Sequence, residues 1–279
     1  MDHFQSVRAK KQLGQHFLVD QGVLTTIIST AHLALSARVL EIGPGTGVLT
    51  EALAAAVGKD GLVLAVEADR DLVEPLRAHF KSRSQVKIVA GDVLAMPTAE
   101  LLQPPYQIVA NLPYSITSPV LTKFLMGDYR GRAGDITPRP ESMTFLVQRE
   151  VAERLTARPP HRERGILTVM IELFGSSELI SIVPPSAFNP PPKVESAIIR
   201  IEVGEPRANP WSFHQLLKAG FANRRRQLHN SLAGSLHLGA NEVRELLERA
   251  NIDPMMRAEQ LSLEQWLSLF AVVRPEGER

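Results

Sequence analysis

The chain contains no cysteine among its 279 residues. That excludes a disulfide framework, thiolate catalysis and zinc–thiolate sites. It also lacks a charge excess of either sign. The net charge is +1, so no global field draws the chain to nucleic acid, and any basic footprint has to be local. No apolar run approaches the roughly 20 residues of a membrane span. The opening Met1-Asp-His-Phe-Gln-Ser-Val-Arg-Ala-Lys-Lys11 has no apolar stretch of signal-peptide length. The eight histidines are scattered, without a His-x-x-x-His pair and supporting acid, so no metal is expected. A soluble cytoplasmic protein, monomeric and without membrane contact, is the expectation. What is present is a hydrophobic fraction of 44%, enough for one large domain and a small one.

Residues 1–20 read as a basic, polar arm. Strands are expected at 38–42, 62–66, 86–89 and 106–110, and helices at 23–33, 48–57 and 70–82. Strands alternating with helices at this spacing argue a doubly wound, mostly parallel α/β sheet. Further on, 143–147 is a further apolar segment, 166–174, 178–183 and 197–203 read as strands, and 148–155 reads as a helix. The segments 127–140 and 158–164 read as loops, as does the proline-rich stretch 184–192. Past residue 204 the pattern becomes helical, at 211–221, 224–236, 241–250 and 263–273. The expected division is an arm over 1–20, an α/β domain over 21–204 and a helical domain over 205–279.

The tetrapeptide Asn111-Leu112-Pro113-Tyr114 ends an apolar run. An Asn, a Pro and an aromatic at a strand's carboxyl end can grip a flat nitrogen heterocycle. The Asn111 side-chain oxygen and the Leu112 carbonyl would accept the two hydrogens of an exocyclic amine. Pro113 fixes the local backbone, and the Tyr114 ring can stack on the base. Taken alone, the tetrapeptide is equally well read as a turn.

Glu41-Ile-Gly-Pro-Gly-Thr-Gly47 follows a strand and opens a helix, the context of a nucleotide-binding loop. Its spacing is Gly43-x-Gly45-x-Gly47 rather than Gly-x-Gly-x-x-Gly, with an acid two residues before the first glycine. That favours a ligand without a pyrophosphate. Glu67 ends the second strand, where an acid can accept bonds from ribose hydroxyls. Asp92 follows the third strand and can meet an adenine amine. Each has a bland alternative, a turn or a solvated acid. All four signals, however, fall at strand carboxyl ends, where open parallel sheets bind ligands.

In that order the signals resemble class I S-adenosylmethionine-dependent methyltransferases that act on amines. With Lys11-Gln-Leu-Gly-Gln-His-Phe-Leu18, Gln148-Arg-Glu-Val-Ala152, Pro184-Pro-Ser-Ala-Phe188, Pro190-Pro-Pro-Lys-Val-Glu-Ser196 and Met256-Arg-Ala-Glu-Gln-Leu-Ser262, nearly the whole chain resembles the bacterial small-subunit (16S) ribosomal RNA adenine N6,N6-dimethyltransferases. The resemblance implies S-adenosylmethionine as methyl donor with no metal, and 16S RNA in a 30S assembly intermediate as partner. It implies that His16, Leu18, Gly43, Gly45, Glu67, Asp92 and Asn111 line the donor. It also implies that Tyr114 and Phe188 sandwich the target adenine beside Asn111, Leu112 and Pro113. The chain departs from the family's habit at His16, where relatives often carry Asn, and at Arg164, where they often carry Tyr. The latter departure, with the long 127–140 loop, is expected to touch surface contacts only.

Residues 206–241 hold no acid but carry Arg207, Lys218, Arg224, Arg225 and Arg226. A helix bearing the three consecutive arginines is a candidate phosphate-contacting face, extended by Lys10, Lys11 and Arg149. A solvated charge run is the alternative. Three other functions use parts of the same set of motifs: macrolide-resistance methylation of large-subunit (23S) RNA, DNA adenine methylation, and a non-catalytic assembly or transcription factor. The segment ending at Ser262 and the helical tail weigh against the first. The tail leaves little room for a DNA target-recognition domain. The intact glycines, Glu67 and Asn111 argue against the third.

Overall fold

The computed structural model describes residues 15–127 and 138–273. In chain order the elements are β1 (Phe17–Leu18), α1 (Gln21–Ala31), β2 (Arg38–Ile42), α2 (Val48–Val57), β3 (Leu62–Glu67), α3 (Arg70–His79), β4 (Val86–Ala90), α4 (Thr98–Leu101), β5 (Gln107–Asn111), α5 (Thr117–Met126), β6 (Ser142–Gln148) and α6 (Arg149–Thr156). They continue with α7 (Ile166–Phe174), β7 (Gly175–Val183), β8 (Phe188–Asn189), β9 (Ser196–Val203), α8 (Pro210–Phe221), α9 (Leu228–Leu236), α10 (Ala240–Arg249) and α11 (Leu263–Val273). They form two compact units. One holds the residues up to 152 and 177–203, the other 153–176 and the residues from 204 on.

The first unit is built on a seven-stranded sheet of order β4-β3-β2-β5-β6-β9-β7. Pairing is parallel from β4 through β6 and antiparallel between β6 and β9. The inner strands read as continuous apolar runs because helices cover both faces. Val39, Leu40, Val63, Ala65, Ile108 and Val109 are wholly buried. α1 starts where the Asp20 carboxylate accepts the Val23 N–H at 2.9 Å. It places Leu24 and Ile27 against Leu53, Ala54 and Val57 of α2 in one core. Burial of each such large aliphatic side chain contributes about 1.5–3 kcal/mol.

From β2 the chain winds outward through β3 and β4, then returns to the other side of β2 as β5 and β6. The crossovers therefore diverge between β2 and β5, and a crevice opens at the carboxyl ends of those strands. A two-stranded antiparallel ribbon, Phe17 opposite Asn189 and Leu18 opposite Phe188, crosses near this end.

The second unit is helical among its described residues, apart from the start of β7. It contains two differences from the sequence reading. Residues 166–174 form helix α7, not a strand. The run is apolar and buried nearly all round, so its periodicity is uninformative, and its length does not separate the two forms. The Gly165 N–H donates to Thr168 Oγ1 at 3.2 Å, satisfying a donor at the helix start. The segment 153–176 accordingly clusters with the helical unit rather than with the α/β one. Arg224, Arg225 and Arg226 lie in the turn between α8 and α9, not on a helix.

Arg164 is a further correction, since it is wholly buried and not a surface residue. Its guanidinium meets Glu172 through two bonds, at 2.6 and 3.0 Å. It also donates to the carbonyls of Ala157, Glu259 and Leu261. Five donors meet five acceptors, which is the condition for burying an arginine.

Candidate active site at the carboxyl ends of β2 and β5

The glycine loop after β2 runs through three left-handed residues, Gly43, Gly45 and Gly47, with φ of 69°, 59° and 80°. Space is also tight at two of them. A Cβ at Gly45 would sit 3.1 Å from the Phe17 ring, and one at Gly47 would sit 3.0 Å from the Phe80 ring. Gly45 N–H donates to Glu67 Oε2 at 3.1 Å and Asp69 N–H to Glu67 Oε1 at 2.8 Å. Each Glu67 oxygen is thus held by a backbone donor and keeps a lone pair for a ligand hydroxyl. Burial raises the Glu67 carboxyl above its ordinary value, and the bonds from Asp69 and Gly45 oppose the rise.

Asp92, after β4, accepts the Leu94 N–H on Oδ1 at 2.9 Å, which leaves Oδ2 for a further donor. At the end of β5, the Asn111 side chain bonds the His16 carbonyl at 3.1 Å. A carbonyl only accepts, so the amide nitrogen of Asn111 must face it, and Oδ1 is left to accept from elsewhere. Tyr114 begins a short 3₁₀ turn behind Pro113. Its hydroxyl bonds Ser196 Oγ at 2.8 Å, and its ring stacks on His16 at 5.9 Å between centroids. His16 Nδ1 lies 2.8 Å from the Pro190 carbonyl, so that nitrogen carries the proton.

These groups surround one cavity of about 290 Å³. Its walls bring together every donor-side residue expected from the sequence, namely His16, Leu18, Gly43, Gly45, Glu67, Asp92 and Asn111, and with them Leu112, Pro113 and Tyr114. Phe188 is not part of the wall. It is 4% exposed and packs in the core with Leu18, Ile27 and Val183. Glu41 also lines the cavity, yet it is wholly buried, and neither carboxylate oxygen has a hydrogen-bond partner. Burial pushes it up to about 8. The Glu67 charge adds to that rise.

The sequence reading left Gln15, Asp69 and Ser196 without a role. Gln15 donates to Asp69, Asp69 caps α3, and Ser196 anchors Tyr114. Asp69 just after a strand-ending acid is an N-cap signal legible in sequence; the other two depend on tertiary approach. Among the candidate RNA residues, Lys10 and Lys11 lie outside the described residues. Arg149 pairs with Glu195 at 2.8 Å. Arg224 donates to the carbonyls of Arg162 and Arg164, while Arg225 and Arg226 are exposed.

A doubly wound sheet with a glycine turn, two strand-end acids and an Asn-x-Pro-Tyr turn around one crevice defines a class I methyltransferase. The chain belongs to the ribosomal RNA adenine dimethylase family, whose profile matches residues 6–274. It is 41% identical over 273 residues to ribosomal RNA small subunit methyltransferase A of Dehalococcoides mccartyi, covering 96% of this chain and 89% of that one. It is 40% identical to the protein of the same name from Rippkaea orientalis, over 92% and 95% of the two chains. Among solved structures, a dimethyladenosine transferase from Plasmodium falciparum superposes with a TM-score of 0.72 at 25% identity, covering 91% and 96% of the chains. The 23S rRNA methyltransferase ErmE superposes with a TM-score of 0.68 at 28% identity, over 92% and 98%.

Proposed function

We propose that the protein transfers methyl groups from S-adenosylmethionine to the exocyclic N6 amines of adenines in 16S RNA, giving N6,N6-dimethyladenine during assembly of the small subunit in the cytoplasm. The observation that carries this reading is the orientation of Asn111. With its amide nitrogen pinned to the His16 carbonyl, its Oδ1 is preset as an acceptor beside the glycine-loop cavity.

The cavity fits the donor on its own chemistry. Glu67 offers two held oxygens to ribose hydroxyls, and Asp92 offers Oδ2 to the adenine amine. Glu41, a buried acid without a partner, suits the ammonium of the methionine portion. The donor supplies a methyl already activated on a sulfonium. The protein's part is alignment. Asn111 Oδ1 and the Leu112 carbonyl accept the two amine hydrogens and bias the nitrogen toward tetrahedral geometry. That localises a lone pair otherwise delocalised into the ring. Pro113 holds the two acceptors apart at a fixed angle. Tyr114, anchored by Ser196 and backed by His16, offers the stacking face to a base extruded from its helix. Stacking falls to Tyr114 alone, because Phe188 is held in the core. No side chain has to take up the departing proton at a tuned pKa.

The exposed Arg225 and Arg226 and the acid-free segment around them suit contact with RNA phosphate, as does the basic N-terminal arm. Large-subunit methylation is the competing reading, on the likeness to ErmE. The 41% and 40% identities to small-subunit enzymes favour the small subunit over the 28% to ErmE.

The test is tritiated methyl transfer from S-adenosylmethionine to purified small subunits lacking adenine dimethylation, with large subunits and free DNA alongside. Dimethyladenine in small-subunit RNA is the expected product. Label confined to the large subunit would move the protein to the resistance type. Absence of label with donor and particle binding intact would leave an assembly factor on a methyltransferase fold.

A further inference from the structure

Lys123 lies on α5, the helix that begins just past the Asn111–Tyr114 turn, and it is half-buried. Its Nζ donates to the carbonyl of Met96 at 2.6 Å and reaches that of Leu94 at 3.4 Å. Both carbonyls belong to the loop after β4, the segment that brings Asp92, Val93 and Leu94 into the cavity wall. That loop is tightly wound. Leu94 N–H caps the Asp92 carboxylate, and the N–H groups of Ala95 and Met96 both bond the Asp92 carbonyl. The Met96 sulfur lies 3.2 Å from where a Cβ on Gly91 would stand. The winding directs the Leu94, Ala95 and Met96 donors to Asp92, and the Leu94 and Met96 carbonyls are met from outside the loop. An ammonium bonded to two carbonyl dipoles is a charge-assisted contact, stronger than a neutral one.

We propose that Lys123 is a positioning residue for the methyl donor. It ties the Asp92 loop to the helix that carries the acceptor turn, and so sets where Asp92 Oδ2 meets the donor's adenine. The proposal rests on the reading that the Asp92 loop binds that adenine. Without the ammonium, two carbonyls are left to water and the loop relaxes outward. Asp92 then has to be reordered whenever the donor binds, and affinity falls while the chemical step does not. The tie also spans the two halves of the site. A donor that orders the loop steadies α5, and by thermodynamic reciprocity an engaged base steadies the donor.

Lys123→Met keeps the apolar stem and removes the donors, while Lys123→Arg keeps charge and donors. S-adenosylhomocysteine binding by calorimetry and steady-state kinetics on small subunits separate the possibilities. Lys123→Met is expected to weaken nucleoside binding roughly tenfold, as loss of a charge-assisted bond does. The donor KM should rise with it, kcat at saturating donor should stay within about twofold, and Lys123→Arg should restore most of the affinity. Unchanged nucleoside affinity in Lys123→Met, with Asp92→Ala weakened, would overturn the role of Lys123 alone. Unchanged affinity in both variants would overturn the adenine-binding reading of the loop as well. A parallel fall in kcat and melting temperature that arginine fails to rescue would reduce Lys123 to a fold contact.

Discussion

Asn111, part-buried at the cavity, and Glu41 and Arg164, both buried, are three polar side chains held to different ends. Asn111 has one amide atom fixed and one left to work. On the proposed mechanism Asn111→Ala removes an acceptor used only when the amine is being attacked, so turnover should fall by at least about a hundredfold. Donor affinity, which the proposal assigns mainly to Glu67 and Asp92, should stay nearly intact. Single-turnover methyl transfer alongside S-adenosylhomocysteine binding checks both, and near-normal turnover would sink the amine-acceptor scheme.

Glu41 makes a pH signature. Its folded value of about 8 lies above the ordinary 4.5, so the folded apo protein holds a proton that the unfolded chain has released. Stability from this group is complete below about pH 4.5 and is lost as pH rises toward 8. Glu41→Gln, neutral throughout, should melt higher than wild type at pH 8, with the advantage shrinking toward pH 5. Thermal melts across that range give the answer, and a pH-independent difference would mean the carboxyl is not the cause. Arg164 works only for stability. Arg164→Met leaves three carbonyls without their donor and Glu172 with only the longer contact to Arg158 at 3.8 Å, a loss of at most the about 3–5 kcal/mol that breaking a buried pair costs. Denaturant unfolding should show that loss, while S-adenosylhomocysteine binding stays as in wild type.

At the scale of elements, α2 and α11 carry the boundaries that their sequences predict, because glycine stops one and a polar face marks the other. The strands around the cavity are equally legible, since parallel strands covered on both faces are continuous apolar runs. Two helices escape. α7 is apolar on every side and matches neither period. α5 begins with Thr-Ser-Pro, which reads as a continuation of the turn before it, although proline is tolerated in a helix's first turn. The arginine turn between α8 and α9 is the element with a measurable consequence. Arg224 is spent on two backbone carbonyls, whereas Arg225 and Arg226 project into solvent. Replacing Arg225 and Arg226 with alanine should lower the salt dependence of particle binding by about one unit of log–log slope per lost phosphate contact. Arg224→Ala should instead lower the melting temperature. Filter binding over a salt series distinguishes the two, and equal slopes for wild type and the double variant would remove the turn from the RNA interface.

For the molecule as a whole, the candidate site is more legible than the division of the chain into units. Gly43, Glu67, Asp92 and Asn111 announce themselves because strand order in a parallel sheet is also order along the crevice. Phe188, Ser196 and the membership of 153–176 do not, because each depends on which distant segment it packs against. The β1–β8 ribbon is the extreme case. His16 at the start of the described chain meets Pro190, 174 residues later, and Tyr114 waits for Ser196. Seen from the protein's own synthesis, the donor cavity is a late product. A nascent chain holding residues 15–116 carries every wall residue, yet His16 and β1 lack their braces at Pro190 and β8 until the proline-rich stretch has left the exit tunnel. Truncated translation products that end before residue 190 are therefore expected to bind methyl donor more weakly than the finished chain, because His16 and β1 go unbraced.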